Sequence, residues 1–176
     1  MTDDLRYPIG RVEFPAVCTP ELRATWIAQF AAAPAQIRAA IAGLTPSQLA
    51  TPYRDGGWTP IQVVHHLVDS HLNSYVRFKL ALTEDGPMVS DYNENAWAGM
   101  PDAGSASGIE ASLTLLESLH ARFVTMMRAM TPEQWTRTFV HPKHGPRTLD
   151  KTLAIYAWHG RHHAAHITTL RQRMGW

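Results

Sequence analysis

"EDGPMVSDYNENAWAGMPDAGSAS", residues 84–107, is the stretch on which the fold turns. Gly, Pro, Asn, Asp and Ser crowd its 24 positions, so it reads as a connection, yet it is far too long for a simple helix–helix hairpin. Working outward, both flanks carry helical periodicity. Upstream, a helix starts at Thr59-Pro60, just after the "DGG" breaker, and runs to about Thr83. Downstream, a second pattern covers roughly Ser107 to Met130. Beyond these lie two more. One runs from Pro20 to about Leu44, with Thr19 as N-cap, Leu22, Trp26, Phe30, Ile37 and Ile41 at helical spacing, and Pro34 as a kink point. The other runs from Thr148 to Met174, with Gly175 as its stop.

Four such helices predict an all-α four-helix bundle. The long crossover frees the second and third from being antiparallel neighbours, so up-down-up-down topology is not required. "TPEQWTRTFVHPKHGPRT", residues 131–148, has a cap at Thr131 and one helical turn, then reads as irregular loop, and no alternating strand pattern is evident. Residues 1–176 are expected to form a single domain, with residues 1–18 as an extended N-terminal arm.

Sixteen basic and fifteen acidic side chains leave a net charge of +1, which argues against a nucleic-acid partner. The one cysteine, Cys18, excludes an internal disulfide and a thiolate metal cage. No apolar run reaches membrane-spanning or signal-peptide length, so a cytoplasmic protein without a membrane partner is expected.

Four of the ten histidines fall within "YAWHGRHHAAHI", residues 156–167. Positions four apart share a helix face, so His159 with His163, or His162 with His166, can direct two ring nitrogens at one ion. On a helical wheel His163 falls among Leu149, Leu153, Tyr156, Ala164, Ile167 and Leu170. His159 lies at the edge of that sector, His166 is close to His159, and His162 points outward toward water. The inward pair is therefore His159 and His163. A third ligand has to come from "HHLVDSH", residues 65–71. Here the wheel sends His65 inward, with Ile61, Val64 and Val68. It puts His66 on a polar stripe with Gln62, Asp69, Ser70, Asn73 and Arg77, a stripe that can equally line an open cleft. Periodicity leaves both histidines open.

Four segments in order, "RYPIG" (6–10), "TPYRDGGWTPIQVVHHLVDSHLNSYVRFKLALTE" (51–84), "WHGRHHAAHI" (158–167) and "RMGW" (173–176), resemble the YfiT-type proteins of the DinB-like superfamily. The resemblance spans nearly the whole chain. It implies one divalent metal per chain, zinc or alternatively nickel, held by His66, His159 and His163, and it implies a homodimer. It also implies a metal-dependent hydrolase, or an S-transferase using a low-molecular-weight thiol of the bacillithiol kind, with a small molecule as substrate. Three neutral ligands leave a fourth position open for water or a thiol, so both reactions share one inner sphere.

Asp69 is a candidate to orient a ligand or act as base, His166 to move protons, and Arg54 in "YRDGGW" to bind an anionic substrate. Tyr92, Asn93, Asn95 and Trp97 in the crossover are candidates for a lid, and Tyr156 reads as core. Two other readings stand beside the enzyme with three histidine ligands. One is a non-haem iron oxygenase with Asp69 in place of His66; the other is a metal-clamped bundle without catalysis.

Overall fold

The computed structural model describes residues 5–176. In chain order its elements are α1 (Pro20–Ile41), α2 (Pro46–Leu49), α3 (Pro60–Thr83), α4 (Glu94–Ala98), a 3-10 turn (Ala106–Gly108), α5 (Ile109–Arg128), α6 (Pro132–Trp135), β1 (Thr138–His141), β2 (Gly145–Thr148) and α7 (Leu149–Met174). Residues 7–19 carry no helix or strand, and residues 1–4 of the expected arm lie outside the described residues.

A repeated Thr-Pro pair starts most of these helices. Thr19, Thr45, Thr59 and Thr131 each cap an N-terminus through the side-chain oxygen, and the following proline has no N–H to leave unpaired. Gln48, Gln62 and Gln134 complete reciprocal capping boxes at the last three. Gly175, with φ 71°, stops α7 in the left-handed conformation.

Contacts fix the topology. α3 runs parallel to α5, with His65 beside Ser112, His71 beside His120 and Phe78 beside Phe123. α1 runs parallel to α7, from the Arg23–Asp150 pair through Ala33 against Gly160 to Arg171 on the Ala40 carbonyl. The two parallel pairs then meet antiparallel. α3 meets α7 through His66–His159 and Ser70–Tyr156, and α1 meets α5 through Phe30–His120 and Arg38–Glu110. Consecutive long helices α1 and α3 thus sit on opposite corners of the bundle, and residues 84–107 make the crossover that parallel neighbours require.

Residues 138–148 form an antiparallel hairpin, where an irregular loop was expected. Its strands of four residues are too short for alternation to register, and Gly145 at φ 68° closes the turn. The crossover is stitched to it, because Val89 N–H donates to the Val140 carbonyl and Val140 N–H to the Pro87 carbonyl. Two buried clusters fill the bundle. One gathers Val64, Leu67, Leu116 and Ile167, the other Phe30, Phe78, Phe123 and Leu153. Between them along the axis lie His71, His120 and His159.

Candidate metal centre

Antiparallel packing of α3 on α7 brings His66 against the i, i+4 pair of α7. One ring nitrogen from each of His66, His159 and His163 lies within 4.8 Å of the other two. The Nε2 atoms of His66 and His159 are 3.2 Å apart. Two nitrogens bound at 2.0–2.1 Å to a tetrahedral ion stand about 3.3 Å from each other, so the spacing fits a shared divalent cation. Burial pushes His66 down to about 4 and His159 and His163 well below the usual imidazole range. All three are neutral at pH 7, which is the form that ligates.

Both histidines of "HHLVDSH" are buried, with His65 at 7% and His66 at 8% exposure, but they face different neighbours. His65 turns to α5 and the crossover, where its nitrogens meet Ser112 Oγ at 2.8 Å and the Ser105 carbonyl at 3.1 Å. His66 turns to α7. The polar stripe containing His66, Ser70 and Arg77 is buried, whereas Leu72 and Val76 are exposed. Amphipathicity fails on α3 because helices cover two sides of it and the crossover a third.

His162 does not point to water. It is 6% exposed, stacked on Trp158 at 4.1 Å with Tyr7 of the N-terminal arm at 5.9 Å, because the arm lies over a face of α7 that a four-helix wheel leaves bare. His166 is buried against Tyr53 and meets the Arg6 carbonyl at 3.2 Å. Asp69 is half-buried and is not among the converging donors. Among the described residues no hydrogen bond links its carboxylate to a histidine, and burial with the nearby Asp102 raises its pKa. The arrangement therefore gives no support to a two-histidine, one-carboxylate site.

A cleft of about 410 Å³ opens over the three histidines. Arg6, Arg54 and Arg77 line it, with Tyr92, Tyr156, Asp91, His141 and His144. Arg54 donates to the Asp55 carbonyl and keeps a buried Nε without a partner. Tyr156, expected in the core, does both jobs: it is 8% exposed, bonded to Ser70, and part of the cleft wall. Of the suggested lid only Tyr92 lines the cleft. Asn93 caps α4, and Trp97 packs on Tyr92 at 4.5 Å.

The sequence profile described as the DinB superfamily matches residues 29–167. The chain belongs to that superfamily. A Bacillus cereus protein named "Putative metal-dependent hydrolase" is 49% identical over 174 residues, covering 99% of each chain. The solved structure of YfiT from Bacillus subtilis, described as "a probable metal-dependent hydrolase with an unusual four-helix bundle topology", superposes with a TM-score of 0.95 at 46% identity. It covers 98% of this chain and 99% of that one. TT2238, a four-helix bundle protein, matches at TM-score 0.56 and 18% identity over 88% of this chain and 99% of its own, a likeness of fold.

Within this DinB-superfamily bundle, several cleft residues escape a reading by helical spacing. Arg77 sits three turns beyond His66 on the polar stripe that periodicity leaves open between solvent and cleft. His141 and His144 come from the hairpin, which was not foreseen. His71 and His120 stand behind the site, and the one trace of them in the sequence is a solitary imidazole in each apolar helix face.

Proposed function

We propose that this protein is a metal-dependent enzyme that activates water or a low-molecular-weight thiol for attack on a small anionic substrate. The observation that carries the reading is the convergence of three neutral imidazole nitrogens within 4.8 Å on the floor of an open cleft. The names of the bacillus relatives support metal dependence and hydrolysis. His66, His159 and His163 would hold the ion, and zinc suits three nitrogen donors in this spacing. Such an ion supplies Lewis acidity and an open position.

The remaining chemistry belongs to the chain. Arg54 and Arg77 line the mouth and favour a carboxylate or phosphate group on the substrate. Each donates one bond to a backbone carbonyl, Arg77 to Ser90 at 2.9 Å and Arg54 to Asp55 at 2.8 Å, but Arg77 is buried whereas Arg54 is half-buried and keeps its Nε unpartnered. Trp58 and Trp158 form apolar parts of the wall. Of the two acids in the wall, Asp91 and Glu94, the first is partnered by Lys143 at 2.7 Å, so Arg6, Arg54 and Arg77 outweigh the acidic charge.

The test is turnover of a panel of esters, amides and thiol–electrophile pairs by zinc-loaded and metal-stripped protein. Hydrolysis that requires zinc alone assigns water as nucleophile, and turnover that requires zinc and a thiol assigns transfer. A protein that purifies without chelator and holds no divalent metal overturns the proposal.

A further inference from the structure

Behind His159 the structure contains an unbroken row of imidazoles that ends on the backbone of α1. His159 Nδ1 lies 3.1 Å from His71 Nε2, His71 Nδ1 lies 2.8 Å from His120 Nε2, and His120 Nδ1 lies 2.9 Å from the Phe30 carbonyl oxygen. His71 and His120 are 0% and 2% exposed. The Phe30 ring stacks on His120 at 3.9 Å and 5°, and on His71 at 5.4 Å and 18°, so the rings cannot swing out of line. Among the described residues no carboxylate bonds to either ring, and burial without a counter-charge keeps both neutral.

A row of neutral imidazoles ending on a carbonyl has one consistent direction. The Phe30 oxygen can only accept, so His120 carries its proton on Nδ1 and presents a lone pair at Nε2. That lone pair requires a proton on His71 Nδ1, which leaves His71 Nε2 as an acceptor. His71 Nε2 then requires a proton on His159 Nδ1. The result is a lone pair on His159 Nε2, the atom that faces His66. We infer that His71 and His120 are positioning residues that fix the Nδ1–H tautomer and the orientation of His159, so that Nε2 is offered to the metal before the ion arrives.

The inference rests on the reading of His159 as a ligand. The same construction recurs on His163, whose Nδ1 lies 3.4 Å from His166 Nδ1, while His166 Nε2 lies 3.2 Å from the Arg6 carbonyl. There too a backbone acceptor orders a buried imidazole, which in turn orders a ligand. This gives His166 a part behind the site.

Two measurements test the inference. In metal-free, 15N-histidine-labelled protein, long-range 1H–15N correlation is expected to find His120, His71 and His159 all as Nδ1–H tautomers, whereas free histidine in water favours Nε2–H. An Nε2–H form at His159 overturns the inference whatever the metal does. In competitive zinc titrations His71→Leu is expected to bind about 10- to 100-fold more weakly than wild type, the usual effect of losing a partner behind a metal ligand. His71→Gln, whose Oε1 can accept the same proton, is expected to recover most of that loss. Zinc binding by His71→Leu as tight as wild type overturns the inference, and if that variant fails to fold the tautomer of the wild type decides. Should wild type bind no zinc, the ligand reading falls, while the tautomer of metal-free His159 still judges the relay.

Discussion

His65 and His66 are neighbours in the chain and almost equally buried, yet their surroundings are opposite. His65 has a partner at each nitrogen: the Ser105 carbonyl takes the Nε2 proton and the Ser112 hydroxyl serves Nδ1. His66 lies against the Trp58 ring at 4.5 Å, and among the described residues its Nε2 meets only another imidazole nitrogen. Burying a polar ring is costly unless its hydrogen-bonding atoms are satisfied, so a buried histidine facing other lone pairs marks a place prepared for something absent from the chain itself. Adjacent histidines of nearly equal exposure are therefore told apart by what their nitrogens face: hydroxyl and carbonyl partners for His65, other imidazoles for His66.

The strongest way to break this comparison is to remove each ring in turn. His66→Ala is expected to lose more than about 100-fold in zinc affinity, since it removes a ligand and not merely a partner behind one. His65→Ala is expected to keep about one zinc per chain and to lose about 1–3 kcal/mol of stability, through the unpaired Ser112 and Ser105 groups it leaves. Elemental analysis and thermal melts with and without zinc decide the matter. Added zinc should raise the melting temperature of His65→Ala but not that of His66→Ala. Loss of zinc from the His65 variant alone would reverse the assignment.

Protons offer a second probe, because burial makes an imidazole resist charging. Burial holds His66 and His120 at about 4 in the folded state, against about 6.5 in the unfolded chain. Between those values the unfolded chain binds more protons, so stability falls as pH drops below about 6.5 and keeps falling toward about 4. Each such ring contributes a slope of up to about 1.4 kcal/mol per pH unit. Urea midpoints of the metal-free protein at pH 7.5, 6 and 5 should decline steeply. His120→Gln should flatten the decline relative to wild type, and an unchanged slope would show that these rings do not control acid stability.

Much of this arrangement was legible in the sequence, and the failures have a common cause. The Thr-Pro starts, the Gly175 stop and the length of residues 84–107 all act locally, and the four long helices follow from them. The His159 and His163 pair was legible because α7 presents a single apolar face near the site. His66 followed from the family resemblance and not from the period, because α3 is packed on several sides, and on such a helix the polar stripe marks the cleft rather than the solvent. His162 was misplaced because its cover comes from Tyr7, about 155 residues away in the chain. The hairpin's four-residue strands are too short to show a period, and the row formed by His71 and His120 depends on tertiary contact between α1, α3 and α5, which no local period encodes.

α7 repeats the contrast one residue further on: His159 faces the cleft and Gly160 faces α1. A Cβ at Gly160 would stand 2.5 Å from the Ala33 Cβ, so α1 and α7 must separate to admit one. Gly160→Ala is expected to cost about 1–3 kcal/mol, as overpacking does, partly offset by the better helix propensity of alanine. That is a drop of about 2–4 °C in melting temperature per kcal/mol for a chain of this size. Zinc should still bind, because the ligands face the other way. Ala33→Gly in the same chain should restore stability in part, and a failure to do so would place the strain elsewhere.

Asp69 gives the finest test, since it shares α3 with both histidines. Its carboxyl is held above the usual range by burial and by the nearby Asp102. A carboxylate with a raised folded pKa is penalised by folding at neutral pH, and the group is exposed enough for solvent to screen much of that penalty. Asp69→Asn should therefore leave zinc content unchanged and raise stability at pH 7 by a few tenths of a kcal/mol, about 1 at most. The gain should vanish as pH falls and the wild-type carboxyl takes up its proton. An Asp69→Asn protein without metal would instead make the carboxylate a ligand. That result would put Asp69 in place of His66 beside His159 and His163, the site of two histidines and one carboxylate.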